Sequence, residues 1–587
     1  MAQGVQGRLG GWWRALAASG VLALFPHPLR SQPLPPQPGL VGRIAPAEPP
    51  ALAPALRPPE PLPLTGPGEG RMVALGAVEV AGSTALPAAA LRALVAPLAG
   101  ATVPLSRIEQ ARLAVLHAHR QAGFPYVAVA AALVPQPDAP PALLLRVTEA
   151  AIAAIVIEGE PVGPAEAQAR RFLAPLVGLR PIPNAALERA LLLASDIPGI
   201  AAQGVLRPVA GEPGALQLSV RLTRRPVTGY LQLDNRGHAA TGAWQALGLV
   251  QFNAFTAAAE RTEIALVQTD GNGQGFVQAT EELFLGASGL RLRAWAGAGR
   301  AAPGSPLSAL GYAGETRVAG LALVHPLIRS RPLNLTLTAG IDAFESAVEA
   351  RGGPGLPRLR QSRDAVRALR IGAEAAVLDG WAGLAPAAAT TTFALRLHRG
   401  IEAFGASDGA AGTTARLGSD FGFARLTAEA TRLQPIAATA DGWLLAAQAV
   451  LAGQWSADIL PPAEKFYLGG NRLGRGFHAG QVAGDGALAA SAELQLGRQF
   501  DLAIGAAPAL RLGTQFYLFR DEGRAEDNGP GGAVRRLASF GGGLRLQVEE
   551  RVQIDMEAVR RITRTPDGAG VARLEEDTVY ARLLLRF

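Results

Sequence analysis

Residues Leu333-Asn334-Leu335-Thr336-Leu337-Thr338-Ala339-Gly340-Ile341-Asp342-Ala343 alternate apolar and polar for eleven residues without a break. A period of two places successive side chains on opposite faces of an extended strand, so one face here is aliphatic and the other carries Asn, Thr and Asp. Val552-Gln-Ile-Asp-Met-Glu-Ala558 and Leu544-Arg-Leu-Gln-Val-Glu549 repeat the pattern, and Gly-, Pro- and Asp-rich turns separate such runs from Arg225 onward. A soluble sandwich would turn the aliphatic face inward; a barrel in lipid turns it outward. The number of runs, the secretory leader described below and the lack of cysteine favour the barrel. Residues 225–587 have room for roughly 14–18 strands at about 20–25 residues per strand with its turns, so a transmembrane barrel of about 16 antiparallel strands is expected.

The chain ends on Val579-Tyr-Ala-Arg-Leu-Leu-Leu-Arg-Phe587, with Val579, Ala581, Leu583, Leu585 and Phe587 on one face and Arg582 and Arg586 on the other. That pattern predicts the strand that closes the barrel. Composition narrows the class further. Apolar residues make up 49% of the chain and charged residues 18%, which excludes a disordered chain; 70 Gly and 45 Pro argue against a helical bundle. There is no cysteine, so disulfides, Cys-zinc sites and a cysteine nucleophile are excluded together, and the chain suits an oxidising compartment. The net charge of +7 comes from arginine scattered along the chain, Lys465 being the one lysine, and makes no nucleic-acid patch.

Arg8 and Arg14 precede the apolar run Ala15–Phe25, which is too short to span a bilayer and fits a signal peptide over residues 1–30. A Pro-rich linker follows over residues 31–71. Two similar modules come next. In residues 72–150 a strand-like run (Val73–Gly82) leads to an amphipathic stretch (Ala88–Leu98) and a helix (Leu105–Ala122) with Ile108, Ala111, Leu113, Val115 and Leu116 toward one side. Two strands then follow, Tyr126–Val134 and Ala142–Thr148. In residues 151–224 the order recurs as a strand (Ile152–Gly159), two helices (Ala165–Leu176 and Asn184–Ala194) and a strand (Leu216–Leu222). Ala96-Pro-Leu-Ala-Gly100 matches Ala174-Pro-Leu-Val-Gly178, Gly82 matches Gly159, and Glu109 matches Glu188. Repetition of one β-α-α-β-β unit is more specific than any motif inside it.

Two such modules before a barrel resemble the two-partner secretion transporters, the haemolysin and haemagglutinin secretion/activation proteins, whose periplasmic modules are called POTRA. Four segments carry the resemblance in order: Asp196-Ile-Pro-Gly-Ile200; Asp234-Asn-Arg-Gly237 with Thr241-Gly242; Leu468-Gly-Gly-Asn-Arg-Leu-Gly-Arg-Gly-Phe477; and Phe519-Arg-Asp-Glu-Gly523. The family's folded-back loop is implied to place Arg475, Gly476 and Phe477 in the lumen, against the wall motif Phe519, Asp521 and Gly523. Alternation agrees, since Arg511, Gln515, Tyr517, Phe519 and Asp521 share one face of their strand. Gly474 and Gly476 give the backbone freedom beside Arg475. By spacing alone, Arg475 in an exposed hairpin and Asp521 facing water is the other reading. The family usually has a plug helix ahead of its first module; the Pro-rich stretch here is a poor helix former.

The resemblance implies an outer-membrane translocase, with its POTRA modules in the periplasm of a Gram-negative-type cell. Its partners would be an unfolded secreted exoprotein, outer-membrane lipid and, during biogenesis, the barrel-assembly machinery. A barrel-assembly factor of the same superfamily and a passive porin are the alternatives. Asp270-x-Asn272-x-Gln274-Gly275 with Glu281 falls short of a calcium loop, because Gln stands at its fifth position and strands flank it. His117 and His119 lie two apart on a helix and point apart. No residue set argues for catalysis, and neither metal nor cofactor is expected.

Overall fold

The structure, a computed structural model, describes residues 70–238, 241–304, 311–351, 356–380, 388–409, 414–503, 509–566 and 573–587. The signal peptide and all but the last two residues of the linker lie outside them.

The first α/β unit comprises β1 (Met72–Ala74), β2 (Val78–Ala81), α1 (Ala88–Val95), β3 (Thr102–Pro104), α2 (Leu105–Gln121), β4 (Val127–Gln136) and β5 (Ala139–Glu149). Its sheet has the order β2-β5-β4 with β2 parallel to β5, while β1 and β3 form a separate two-stranded ladder. The sequence suggested one strand over Val73–Gly82, but the chain breaks at Leu75-Gly76-Ala77. There it crosses the Pro140–Pro141 backbone so closely that a Cβ on Gly76 would sit 2.7 Å from the Pro140 carbonyl. Helix α2 buries Ile108, Ala111, Val115 and Leu116 as expected, with Leu113 packed at the margin. His119 is also buried on that face, between Ser83 Oγ and the Val115 carbonyl, both at 2.8 Å.

The second unit repeats the plan with β6 (Ala151–Glu158), α3 (Ala165–Leu173), α4 (Asn184–Ser195), β7 (Ile200–Pro208) and β8 (Ala215–Arg224), ordered β6-β8-β7 with β6 parallel to β8. Strand β7, which the sequence reading passed over, supplies the element needed for the β-α-α-β-β order. The repeated Ala-Pro-Leu forms a 3-10 turn in both units, Ala96–Leu98 and Ala174–Leu176, with Leu98 and Leu176 buried.

The remaining strands are β9 (Val227–Asp234), β10 (Gln245–Asn253), β11 (Arg261–Thr269), β12 (Gln274–Phe284), β13 (Arg291–Ala301), β14 (Ala313–Arg329), β15 (Leu333–Arg351), β16 (Arg358–Asp379) and β17 (Ala389–Gly400). There follow β18 (Ala424–Ala438), β19 (Leu444–Ser456), the short β20 (Phe466–Leu468) and β21 (Val482–Gly484), then β22 (Gly486–Leu502), β23 (Leu510–Glu526), β24 (Val534–Val548), β25 (Val552–Arg561) and β26 (Asp577–Arg586). All but β20 and β21 close into one antiparallel barrel of sixteen strands. Closure pairs the last strand with the first and so leaves no edge strand, which a bilayer demands. Ile264, Leu266, Ile371, Leu395, Leu494 and Leu518 stand exposed on the outer face, while Glu282, Arg293, Asp342 and Asp521 are buried inside. The opening stretch, Leu333–Ala343, lies within β15. The near-miss calcium loop is the tip joining β11 to β12, with a one-turn 3-10 helix at Asp270–Asn272.

The seam between β26 and β9 runs from Arg582↔Asp234 to Arg586↔Tyr230. Phe587 extends it: its amide donates to the Gly229 carbonyl at 3.0 Å and its carbonyl accepts from the Gly229 amide at 3.1 Å.

The second α/β unit is clamped to two turns of the near rim. Arg329, at the end of β14, grips Asp196 with two bonds of 2.8 and 2.7 Å. Arg189 donates to the Pro326 carbonyl at 2.9 Å, Gln168 to the Gly286 carbonyl at 2.7 Å, and the Phe172 and Phe284 rings meet edge to face at 5.2 Å. Asp196 opens the Asp-Ile-Pro-Gly segment, so that motif is a docking joint in this fold.

Candidate functional site: a loop folded into the barrel lumen

The connection between β19 and β22 enters the lumen instead of arching over it. Its tip lies against a row of wall residues set in register across four strands, Ser491, Asp521, Ser539 and Arg561. Period-two alternation sends all four inward. Asp521 is fully buried and accepts from Arg475 Nε at 3.0 Å, Arg475 Nη2 at 2.8 Å, the amides of Arg475 (2.8 Å) and Gly474 (3.1 Å), and Ser491 Oγ at 2.7 Å. Arg475 also reaches Ser491 Oγ at 2.9 Å, forms an ion pair with Glu493, and lies 3.5 Å over the Phe519 ring. A planar guanidinium suits this corner because it forks onto a carboxylate and stacks on an aromatic face at once.

The two flanking glycines serve different needs. Gly474 has φ +87°, a left-handed conformation that disfavours a side chain; a Cβ on Gly476 would lie 2.9 Å from the Ser539 Cβ. Phe477 is buried with Leu468, Val482, Ala489, Ala525 and Leu537, which packs the loop's own β20–β21 hairpin onto the wall. Gly523 leaves space for Leu468, whose Cδ1 would be 2.9 Å from a Cβ there. Thus Arg475, Gly476, Phe477, Phe519, Asp521 and Gly523 converge in one site, while Phe587 lies apart at the barrel seam.

Several partners were not apparent from the sequence. Arg236, just past β9, donates to the Arg475 carbonyl at 2.8 Å, pairs with Glu557 and stacks 4.0 Å over Tyr580. Arg545 completes the network, holding Glu493 at 2.6 Å while stacked 3.8 Å over Tyr517. Gly541 and Gly543 oppose Phe519 and Tyr517 in the ladder and leave room for both rings. The Asp234-Asn-Arg-Gly segment could have signalled Arg236, but nothing in the spacing ties it to the loop.

The loop is held in two further places. Glu464, in the one-turn helix Pro462–Glu464, is buried between Arg370 (2.8 Å) and Arg425 (2.7 Å). At the far rim, Asp485 is gripped by Arg416 at 2.6 and 2.7 Å and accepts from the Asn528 amide at 2.7 Å. Beside it Asp527 pairs with Lys465 at 2.6 Å and Arg535 at 2.9 Å. Burial works to raise the Asp527 carboxyl, but these two cations outweigh it and hold the group below its ordinary value. Beside the loop lies a cavity of about 350 Å³ lined by Trp295, Arg293, Glu374, Arg396, Thr427 and Tyr467 among others. Among the described residues no cluster of three or more His or carboxylate groups could hold a metal.

A closed barrel, apolar outside and charged within, obstructed by its own loop and joined at one rim to paired α/β units, has the build of an outer-membrane transporter with a periplasmic arm. The family model described as haemolysin secretion/activation protein ShlB/FhaC/HecB matches residues 381–546, a span that includes the loop and the Asp521 strand. The resemblance read from the sequence is borne out over that span, and the closed barrel with its α/β units places the chain in the outer membrane. Solved structures share the fold. CdiB from Escherichia coli aligns with a TM-score of 0.67 at 18% identity, over 91% of this chain and 94% of that one. CdiB from Acinetobacter baumannii aligns at 0.59 and 15%, over 99% and 96%. No curated protein sequence matches.

Proposed function

We propose that this chain captures an extended, unfolded exoprotein in the periplasm through its two α/β units, read as POTRA modules, and conducts it outward through the barrel while the loop bearing Arg475 moves aside. The observation that carries the reading is the loop itself. It is held by polar contacts inside the lumen, where it obstructs passage through the barrel. Capture by β-augmentation is supported by the sheet orders, which leave β4 in the first unit and β7 in the second as free edges. The charged lumen walls suit a solvated polypeptide, and the reading needs no catalytic residue or cofactor. A passive porin has no need of paired α/β units joined to one rim.

The test uses the absence of native cysteine. In a Gly476→Cys/Ser539→Cys variant the two Cβ atoms start close enough for a small adjustment to allow a disulfide. Oxidation should stop release of the exoprotein into the medium, and reduction should restore it. Equal release in both states would refute a moving loop.

A further inference from the structure

Glu464 lies in the same loop as Arg475 but is tied to different wall strands. Its carboxylate faces Arg370 on β16 and Arg425 on β18. Arg370 is also held by Asp342 on β15, with one bond of 2.8 Å. Arg425 donates to Gln454 on β19 at 2.5 Å, and Gln454 donates in turn to the Glu464 carbonyl at 3.0 Å. Between the two guanidiniums stands His398 on β17, whose Nδ1 is in contact with both. Five consecutive strands, β15 to β19, each contribute one group to this cradle. The Arg475 site is built from the other side of the loop's entry, on β22 to β26 and the turn after β9.

The charges of the two sites are complementary. Arg370 and Arg425 are balanced by Asp342 and Glu464; remove Glu464 and the wall keeps one uncompensated positive charge. Asp521, Glu493 and Glu557 face Arg475, Arg545, Arg236 and Arg561; remove Arg475 and that wall loses one positive charge. We infer that Glu464 is a second ion-pair anchor of the lumen loop, a positioning residue of opposite sign to Arg475, so that the loop leaves the lumen only when the Glu464 site opens as well as the Arg475 site. The inference rests on the proposed function in taking the loop as the moving part.

The two anchors share no partner, so their contributions to holding the loop should add in free energy. The measurement is made on the purified full-length chain in planar lipid bilayers under a KCl gradient, with heat-modifiable mobility as the check on barrel folding. Glu464→Gln should raise the frequency of open events by about tenfold or more, since one member of a buried charge set is lost. It should also move the reversal potential toward anion selectivity, because a charge lining the lumen sets the permeant ion. Arg475→Ala should raise opening similarly but shift the potential toward cations. The double variant should show the product of the two opening factors and a potential near that of the wild type. Glu464→Asp, which keeps the charge, should keep the wild-type selectivity. If Glu464→Gln fails to fold, Glu464→Gln/Arg370→Gln preserves the balance and should open more often without the selectivity shift. Unchanged opening and potential in Glu464→Gln, with Arg475→Ala altered, overturns the second anchor and leaves the moving loop intact. No change in either variant counts against the moving loop itself.

Discussion

Replacing Arg475 by alanine strikes the site where the most contacts meet. The substitution removes two guanidinium bonds to Asp521 and one to Ser491, the ion pair with Glu493, and the stacking 3.5 Å over Phe519. Glu493 still has Arg545, so the orphaned charge is Asp521, which has no exposed surface. An unpaired buried charge costs about 3–5 kcal/mol. Asp521 retains Ser491 Oγ and two loop amides as donors, which brings the loss to about 2–3 kcal/mol. The barrel ladders are untouched, so the variant should insert normally. What changes is the fraction of time the loop spends out of place, which rises by about 30- to 150-fold. Val482 is buried on the loop's hairpin and tolerates a small thiol, so Val482→Cys reports that fraction through its labelling rate with a membrane-impermeant maleimide. Labelling should accelerate by that factor in Arg475→Ala, and secretion of the exoprotein at matched outer-membrane levels should fall. Asp521→Ala should behave alike, and the double variant should be little worse than either, since both remove one shared contact. Unchanged labelling together with full secretion by Arg475→Ala would refute the reasoning.

Removing Phe587 takes two hydrogen bonds from the β26–β9 seam and should lower the amount of folded barrel in the outer membrane without altering the α/β units; equal levels with and without it would contradict this. Residues 72–224 should form a soluble folded fragment with a cooperative thermal transition, because each unit has its own apolar core. In that fragment burial works to raise the Glu149 carboxyl, but the Thr84 hydroxyl (2.5 Å) and the amides of Thr84 and Ala85 (both 2.7 Å) outweigh it and hold the group below its ordinary value. A depressed carboxyl contributes stability that is present above the unfolded-state value and lost as pH falls through the folded one. The stability advantage of wild type over Glu149→Gln should therefore be constant near neutrality and shrink below about pH 4.5; an advantage that grows on acidification would reverse the assignment. Asp196→Ala should free the second unit from the β14–β15 turn, seen as faster proteolysis near Arg225 with the barrel still resistant.

The barrel was legible because lipid on one side and a polar lumen on the other impose strict alternation, as in Leu333–Ala343 and Leu510–Asp521. The duplicated units were legible because Ala-Pro-Leu recurs with its glycine at the same place in each. Strand β7 was not: Ile200–Pro208 mixes Gly204 and Arg207 into a short edge strand and shows no clean period. The tip of the lumen loop stood out by its glycines and its family resemblance. Glu464 did not, since a carboxylate after two prolines carries no distinguishing spacing. Its partners come one per strand and meet only through ladder register, where Arg370 faces His398 and His398 faces Arg425.

The joint between Asp196 and Arg329 has a mechanical consequence. Arg329 ends β14, and the turn that follows leads directly into β15, which carries Asp342 roughly 30 Å along its length at about 3.4 Å per residue. Asp342 braces Arg370, and Arg370 grips Glu464. A strand paired on both sides resists stretching far better than bending, so it transmits an axial load. The second α/β unit and the lumen loop are therefore fastened to one continuous β14–β15 hairpin, the first at its turn and the second through Asp342 and Arg370.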